Sequence, residues 1–181
     1  PPPPPPHPPP DEPPPPHHRE PAGHETLGDA PPRSDASEEP AAPPAQVVDA
    51  FLDADAWVEW AMPITRVEWT SGFPIEVGST RTVSMRGGIV GYEEFIAFDH
   101  GTRMAFRFNE ASKPTIKAFA EDYQVTDLGN GRCRVDWIMA MQTAKEGPAF
   151  VTKLTGAVMN VMVGRMLKKF GRLVESRKES E

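Results

Sequence analysis

The chain has 181 residues, 38% of them hydrophobic and 25% charged, with a formal net charge of −7. That length allows one domain of ordinary size, or one domain and a tail. The single cysteine, Cys133, excludes an intramolecular disulfide and any multi-cysteine zinc site.

Proline and charge divide the chain at the same place. Nineteen of the 23 prolines lie within Pro1 to Pro44. Proline fixes φ and lacks an N–H, so this stretch predicts a disordered, acidic tail over residues 1–44 with polyproline II character. Residues 1–45 carry a net charge of −6 and the remainder a net of −1. A nearly neutral body argues against a nucleic-acid surface. His7, His17, His18 and His24 are metal-ligand types, but the segment offers nothing to hold them in fixed geometry. No metal and no cofactor is expected.

The folded body is expected over residues 45–178. Ala45 to Trp60 reads as two short helices. Pro44 suits a first helical position, and Val47, Val48, Phe51 and Leu52 share a face. Asp53-Ala-Asp55 breaks the first helix and caps the second, which carries Trp57 and Trp60 on one side. Pro63 ends it.

From Ile64 the apolar period changes from 3.6 to 2. Strands are predicted over Ile64–Thr70, Ser79–Met85, Val90–Phe98, Thr102–Phe108, Thr115–Thr126 and Arg132–Gln142. Gly87-Gly88, Asp99-His100-Gly101 and Gly129-Asn130-Gly131 supply turns between them. Short turns between consecutive strands imply an antiparallel meander. A helix of about 29 residues follows from Pro148, with an apolar stripe of Val151, Leu154, Val158, Met162, Met166, Phe170 and Leu173. Its longest uncharged run, Leu154 to Gly164, is too short for stable membrane insertion. A cytoplasmic setting is expected.

Local motifs now carry a family resemblance. Pro44-Ala-Gln-Val-Val-Asp-Ala-Phe-Leu52, then Ala56-Trp-Val-Glu-Trp60 and Pro63, resembles the opening of the polyketide cyclase/dehydrase branch of the START-like (SRPBCC) superfamily. The hairpin from Glu121 through Gly129-Asn-Gly131 to Trp137 is similar to that family's penultimate hairpin, with Cys133 where the family often has threonine. The resemblance covers Ala45 to about Lys178. It implies an α+β helix-grip fold: a curved antiparallel sheet of about six strands wrapped on the long C-terminal helix. The family usually begins with a strand before the first of these helices. Ser34 to Ala42 has neither alternation nor β-branched residues, so that strand is expected to be absent and a sheet edge exposed.

The resemblance also implies a cavity between sheet and helix for a small hydrophobic molecule. Candidate lining residues are Trp60, Val83, Met85, Phe95, Phe106, Phe108, Trp137, Met139, Met141, Val158 and Met162. Thioether-rich walls suit a deformable apolar site. Tyr92, Glu94, His100, Asp122 and Tyr123 are the side chains available for acid–base work, with Glu121 and Asp122 read as strand-surface charges. No hydrolytic triad spacing, P-loop or dinucleotide fingerprint is present. Gly156, Asn160, Gly164 and Gly171 fall opposite the apolar stripe, where another copy of the chain could approach in a homodimer.

Three functions follow as expectations. The first is binding or transport of a lipid- or polyketide-like ligand. The second is a polyketide cyclase or dehydratase using acid–base chemistry. The third is a protein-interaction module. An apolar cavity favours the first, a cavity ending in ionisable groups the second, and a filled core the third.

Overall fold

A computed structural model describes residues 33–144 and 149–178, with side chains in the last segment from 156 to 177. Most of the expected tail, including its four histidines, lies outside the described residues. The elements are β1 (Arg33–Glu38), α1 (Pro44–Leu52), α2 (Ala54–Trp60), β2 (Ile64–Trp69), β3 (Thr80–Met85), β4 (Ile89–Asp99), β5 (Arg103–Ala111), β6 (Ile116–Gly129), β7 (Arg132–Thr143) and α3 (Ala149–Lys178).

The strands form one antiparallel sheet in the order β1-β7-β6-β5-β4-β3-β2. The five consecutive pairs from β2 to β7 are therefore adjacent hairpins, and β1 closes the far edge on β7. Register shifts in β2, β4 and β6 add local bends. The result is a curved sheet whose concave face is covered by α1, α2 and α3.

The first strand corrects the expectation that it is missing. Arg33 to Glu38 pairs along its full length with β7, from Arg33 opposite Ala140 to Glu38 opposite Val135. The reason is tertiary. The free edge of β7 supplies backbone partners that local propensity does not. Ser34 is buried and Ala36 packs against the core, so the inward positions are small where α3 crosses. A Cβ on Gly171 of α3 would lie 3.1 Å from Glu38 Cγ. Gly171 therefore faces β1, which corrects its placement on an open helix back; Gly156 and Gly164 do face open space. The sheet thus has seven strands, and the folded body begins upstream of residue 45.

Two tryptophans anchor the short helices. Trp57 Nε1 donates to the Phe51 carbonyl at 2.7 Å, and Trp69 Nε1 on β2 donates to the Leu52 carbonyl at 3.0 Å. Asp53 accepts from the Asp55 amide at 3.0 Å, as its capping position predicts. Arg177 near the end of α3 reaches back to Asp53 at 2.8 Å and to Glu59 at 3.2 Å. Phe51 of α1 stacks on Phe170 of α3 with ring centroids 4.3 Å apart. Such pairs contribute about 0.5–1.5 kcal/mol beyond their buried area.

The inward side of α3 differs from the predicted stripe. Among its described side chains Val163, Met166, Leu167, Phe170 and Val174 are the buried hydrophobics. Of the predicted stripe, Met166 and Phe170 turn inward, Met162 and Leu173 are partly buried, Val158 is 61% exposed, and Val151 and Leu154 lie outside the described side chains. Ala157 to Val163 is apolar apart from Asn160. Without polar contrast, periodicity cannot say which side turns inward.

Candidate functional site

At one end of the concave face, aromatic rings pack closely against one another. Trp57, Phe51, Tyr123, Phe106 and Phe170 interlock there, all with essentially no exposed surface. Toward the other end the side chains become methionines and the packing opens. A cavity of about 200 Å³ lies between the sheet and α3. It borders an open groove of about 630 Å³, and Trp60, Met162 and Met166 line both.

Strand alternation builds the wall. Arg81, Val83 and Met85 of β3 turn inward, as do Phe106 and Phe108 of β5, Phe119 and Glu121 of β6, and Trp137, Met139 and Met141 of β7. Gly91 makes room for one of these: a Cβ there would lie 2.5 Å from the Phe108 ring. Met159, Met162 and Met166 of α3 close the other side.

Of the eleven residues expected to line a cavity, nine do so: Trp60, Val83, Met85, Phe106, Phe108, Trp137, Met139, Met141 and Met162. Phe95 is instead packed in the core against Trp69, Phe98 and Phe106. Val158 lines the outer groove.

The polar wall is the part sequence reasoning missed. Arg81 and Glu93 are both buried, and Arg81 Nε donates to Glu93 Oε2 at 2.5 Å. The guanidinium lies between aromatic faces, 4.2 Å from the Trp57 ring centroid and 4.4 Å from that of Phe106. Glu121 is also buried, which corrects its reading as a surface charge, and its Oε2 accepts from Tyr123 Oη at 2.8 Å. The signal was the period of two. Arg81 is in phase with Val83 and Met85, Glu93 with Phe95, and Glu121 with Tyr123.

The other acid–base candidates lie elsewhere. Asp122 is buried as well, which corrects its reading as a surface charge, but on the opposite side of the sheet, where Arg103 holds it at 2.8 Å and 3.1 Å. Glu94 pairs with Arg107 at 3.3 Å. Tyr92 is 45% exposed, and His100 is exposed near Asp49.

Burial pushes the Glu121 carboxyl up to about 8, and the negative charge of Glu93 adds to it. The Tyr123 hydrogen bond and the charge of Arg81 oppose the shift. The Trp137 indole is close enough to favour the carboxylate as well, but its N–H meets no acceptor in hydrogen-bond geometry. Burial also raises Glu93, against the pull of Arg81. The Tyr123 phenol is raised well above its usual range by burial and by Glu121. At neutral pH Glu121 is therefore held largely as the carboxylic acid, beside the Arg81 guanidinium and its hydrogen-bonded partner Glu93.

Several donors in this wall have no acceptor. Among the described residues, Arg81 Nη1 and Nη2, Trp60 Nε1, Trp137 Nε1 and Arg107 Nε are buried without a hydrogen-bond partner. All but the last belong to residues lining the cavity. A buried donor left unmade costs about 1–3 kcal/mol, so each is an invitation to an acceptor atom. No cluster of metal-ligating side chains occurs among the described residues.

This architecture has close counterparts. Residues 31–175 match the family described as polyketide cyclase/dehydrase and lipid transport. The chain belongs to that family. Among curated proteins it is 46% identical over 138 residues to an uncharacterized protein of Mycobacterium tuberculosis strain H37Rv, covering 74% of this chain and 79% of the relative. An uncharacterized protein of Mycobacterium bovis matches to the same extent. Two solved structures share the fold. The Zhui aromatase/cyclase from Streptomyces sp. R1128 superposes with a TM-score of 0.66 at 16% identity, covering 81% of this chain and 94% of that one. A START superfamily protein from Mycobacterium smegmatis gives 0.61 at 13% identity, covering 82% and 97%. The family match begins at residue 31, just ahead of β1, in agreement with the seven-stranded sheet.

Proposed function

We propose that this member of the family binds a small hydrophobic molecule, lipid- or polyketide-like, with an acceptor oxygen seated at Arg81. The observation that carries the reading is the pairing of an apolar methionine-rich cavity with buried N–H donors that have no partner. An apolar ligand body would displace no ordered polar group, and a carbonyl-type oxygen would satisfy the Arg81 Nη atoms. About 200 Å³ suits a ring-sized portion of a molecule, since an engineered cavity of about 150 Å³ holds benzene. A longer ligand would extend past Trp60 and Met162 into the groove.

An acid–base reaction on a carbonyl substrate is the second reading, and it is favoured by the protonated state of Glu121. Arg81 would polarise a carbonyl, and the Glu121 carboxyl would deliver a proton to the developing oxyanion. Glu93, already bound to Arg81, would fix the guanidinium in place. The open cavity weighs against a pure interaction module with a filled core.

The test is binding of an environment-sensitive apolar dye, together with native mass spectrometry of protein purified from its own host. Micromolar dye affinity, about −8 kcal/mol, is expected for the parent. Met139→Trp should fill the cavity and weaken dye binding while the fold persists. Absence of dye binding in the parent, with Met139→Trp merely destabilising, would remove both readings. A carbonyl-bearing substrate turned over by the parent and not by Glu121→Gln, with dye binding retained, would select the enzyme.

A further inference from the structure

We infer that the cavity mouth docks on an anionic lipid bilayer surface, with the middle of α3 as the contacting element. The inference is independent of which ligand fills the cavity. Three observations converge on this surface.

First, the rim of the groove is apolar and exposed. Met62 is 58% exposed, Val158 61% and Val161 54%, and all three line it. Exposed apolar residues clustered at an opening differ from the scattered ones found on any surface.

Second, the charge of the same element opposes that of the whole chain. From Ala149 to Val174, α3 carries Lys153, Arg165, Lys168, Lys169 and Arg172 and no acid, while the chain as a whole has a net charge of −7. Arg165 and Lys169 line the groove beside the apolar residues. Arg165, Lys168, Lys169 and Arg172 are exposed and form no ion pair among the described residues. Arg86, exposed on the opposite side, donates to the Met62 carbonyl at 2.9 Å and adds a further cation. Glu59, which lines an adjoining hollow with Lys169 and Arg172, is already engaged by Arg177. A basic helix with exposed apolar residues is the pattern of a surface-seated amphipathic element, each cation contributing attraction to anionic headgroups.

Third, the groove adjoins the cavity, with Trp60, Met162 and Met166 lining both. A bilayer seated there would face the cavity opening. No helix among the described residues is long and apolar enough to cross a membrane, so the contact would be peripheral.

Flotation of the full chain with vesicles tests the inference. Vesicles of equimolar phosphatidylglycerol and phosphatidylcholine should carry the protein, and pure phosphatidylcholine vesicles should carry at least about ten-fold less. Val158→Asp/Val161→Asp and Arg165→Glu/Lys169→Glu should each lower partition into anionic vesicles by about ten-fold or more. All four side chains are solvent-exposed, so the thermal midpoint should hold, and circular dichroism checks the fold. No preference for anionic vesicles would overturn the inference. So would partition that both double variants leave unchanged, or that only the charge variant changes. A concentration-dependent dimer lost in Val158→Asp/Val161→Asp, without vesicle binding, would assign the groove to a second copy and equally overturn it. Dye binding in the cavity reads the ligand proposal separately in every case.

Discussion

Tyr123 Oη donates to Glu121 Oε2 at 2.8 Å from two residues along the same strand. Successive inward positions on β6 thus form a closed polar pair inside an otherwise apolar wall. Across the cavity, Glu93 and Arg81 form a second pair from adjacent strands. Only Glu93 is bonded to the guanidinium, and burial together with the charge of Glu93 keeps a proton on Glu121.

That proton makes stability depend on pH in a direction opposite to ordinary carboxylate ion pairs. The folded protein holds Glu121 protonated up to about 8, while the unfolded chain releases the proton near 4.5. Between these limits the native state binds more protons, so stability is full below the unfolded value and falls as pH rises through the folded one. The loss is on the order of a few kcal/mol. Glu121→Gln keeps an acceptor for Tyr123 and cannot ionise. The variant should therefore match the parent near pH 5 and exceed it near pH 9. Urea unfolding across that range measures this, and parallel curves for the two proteins would contradict it.

The buried ion pair should respond asymmetrically. Glu93→Gln leaves a guanidinium in the interior with no counter-charge, and breaking such a pair costs about 3–5 kcal/mol. Arg81→Met/Glu93→Leu removes both charges together and should recover much of that loss. Surface pairs such as Arg66–Glu68 and Arg134–Asp136 are largely solvated and should each contribute below about 1 kcal/mol. Chemical denaturation of the three sets would rank them. A Glu93→Gln loss no larger than the surface pairs would show that Arg81 finds solvent in the cavity.

The family, the meander and the long helix were legible because each leaves a strong local mark. Gly129-Asn-Gly131 adopts positive φ at all three positions, as a tight hairpin turn between β6 and β7 requires. Two features lacked such a mark. The first strand is made of Arg, Ser, Asp, Ala and Glu, and it exists because β7 needs a partner and α3 needs small neighbours. The polar wall was hidden by residue type. Arg81, Glu93 and Glu121 look like surface residues, yet each occupies an inward position in the strand period. Phase outranked chemistry at those positions, where Arg81 pairs with Glu93 and Glu121 accepts from Tyr123.

Gly171 is predicted to couple β1 to the helix. Its missing side chain lets α3 pass within contact of Glu38 and Pro40. Gly171→Ala gains about 1 kcal/mol of helix propensity and loses a similar amount to crowding at 3.1 Å, leaving little net change. Gly171→Leu cannot be accommodated and should cost about 1–3 kcal/mol by overpacking. Hydrogen exchange should show β1 amides protected in the parent and exposed selectively in Gly171→Leu. Uniform loss of protection across the sheet would mean that β1 is integral to the whole core.

Cys133 supplies a probe of the same sheet margin. It has no exposed surface, its amide donates to the Pro40 carbonyl at 3.3 Å, and it pairs across the hairpin with Asp127. Burial, with Asp127 adding to it, pushes the thiol up to about 11. At pH 8 the folded protein should therefore react with an aromatic disulfide reagent only through opening or unfolding. The reaction rate should fall steeply with stability and rise in parallel in Glu93→Gln and Gly171→Leu. Cys133→Ser places a hydroxyl where no polar partner is provided and should cost about 1–3 kcal/mol. Rapid labelling of the native parent, at a rate independent of those destabilising changes, would show that the β6–β7 end opens locally and would sink the prediction.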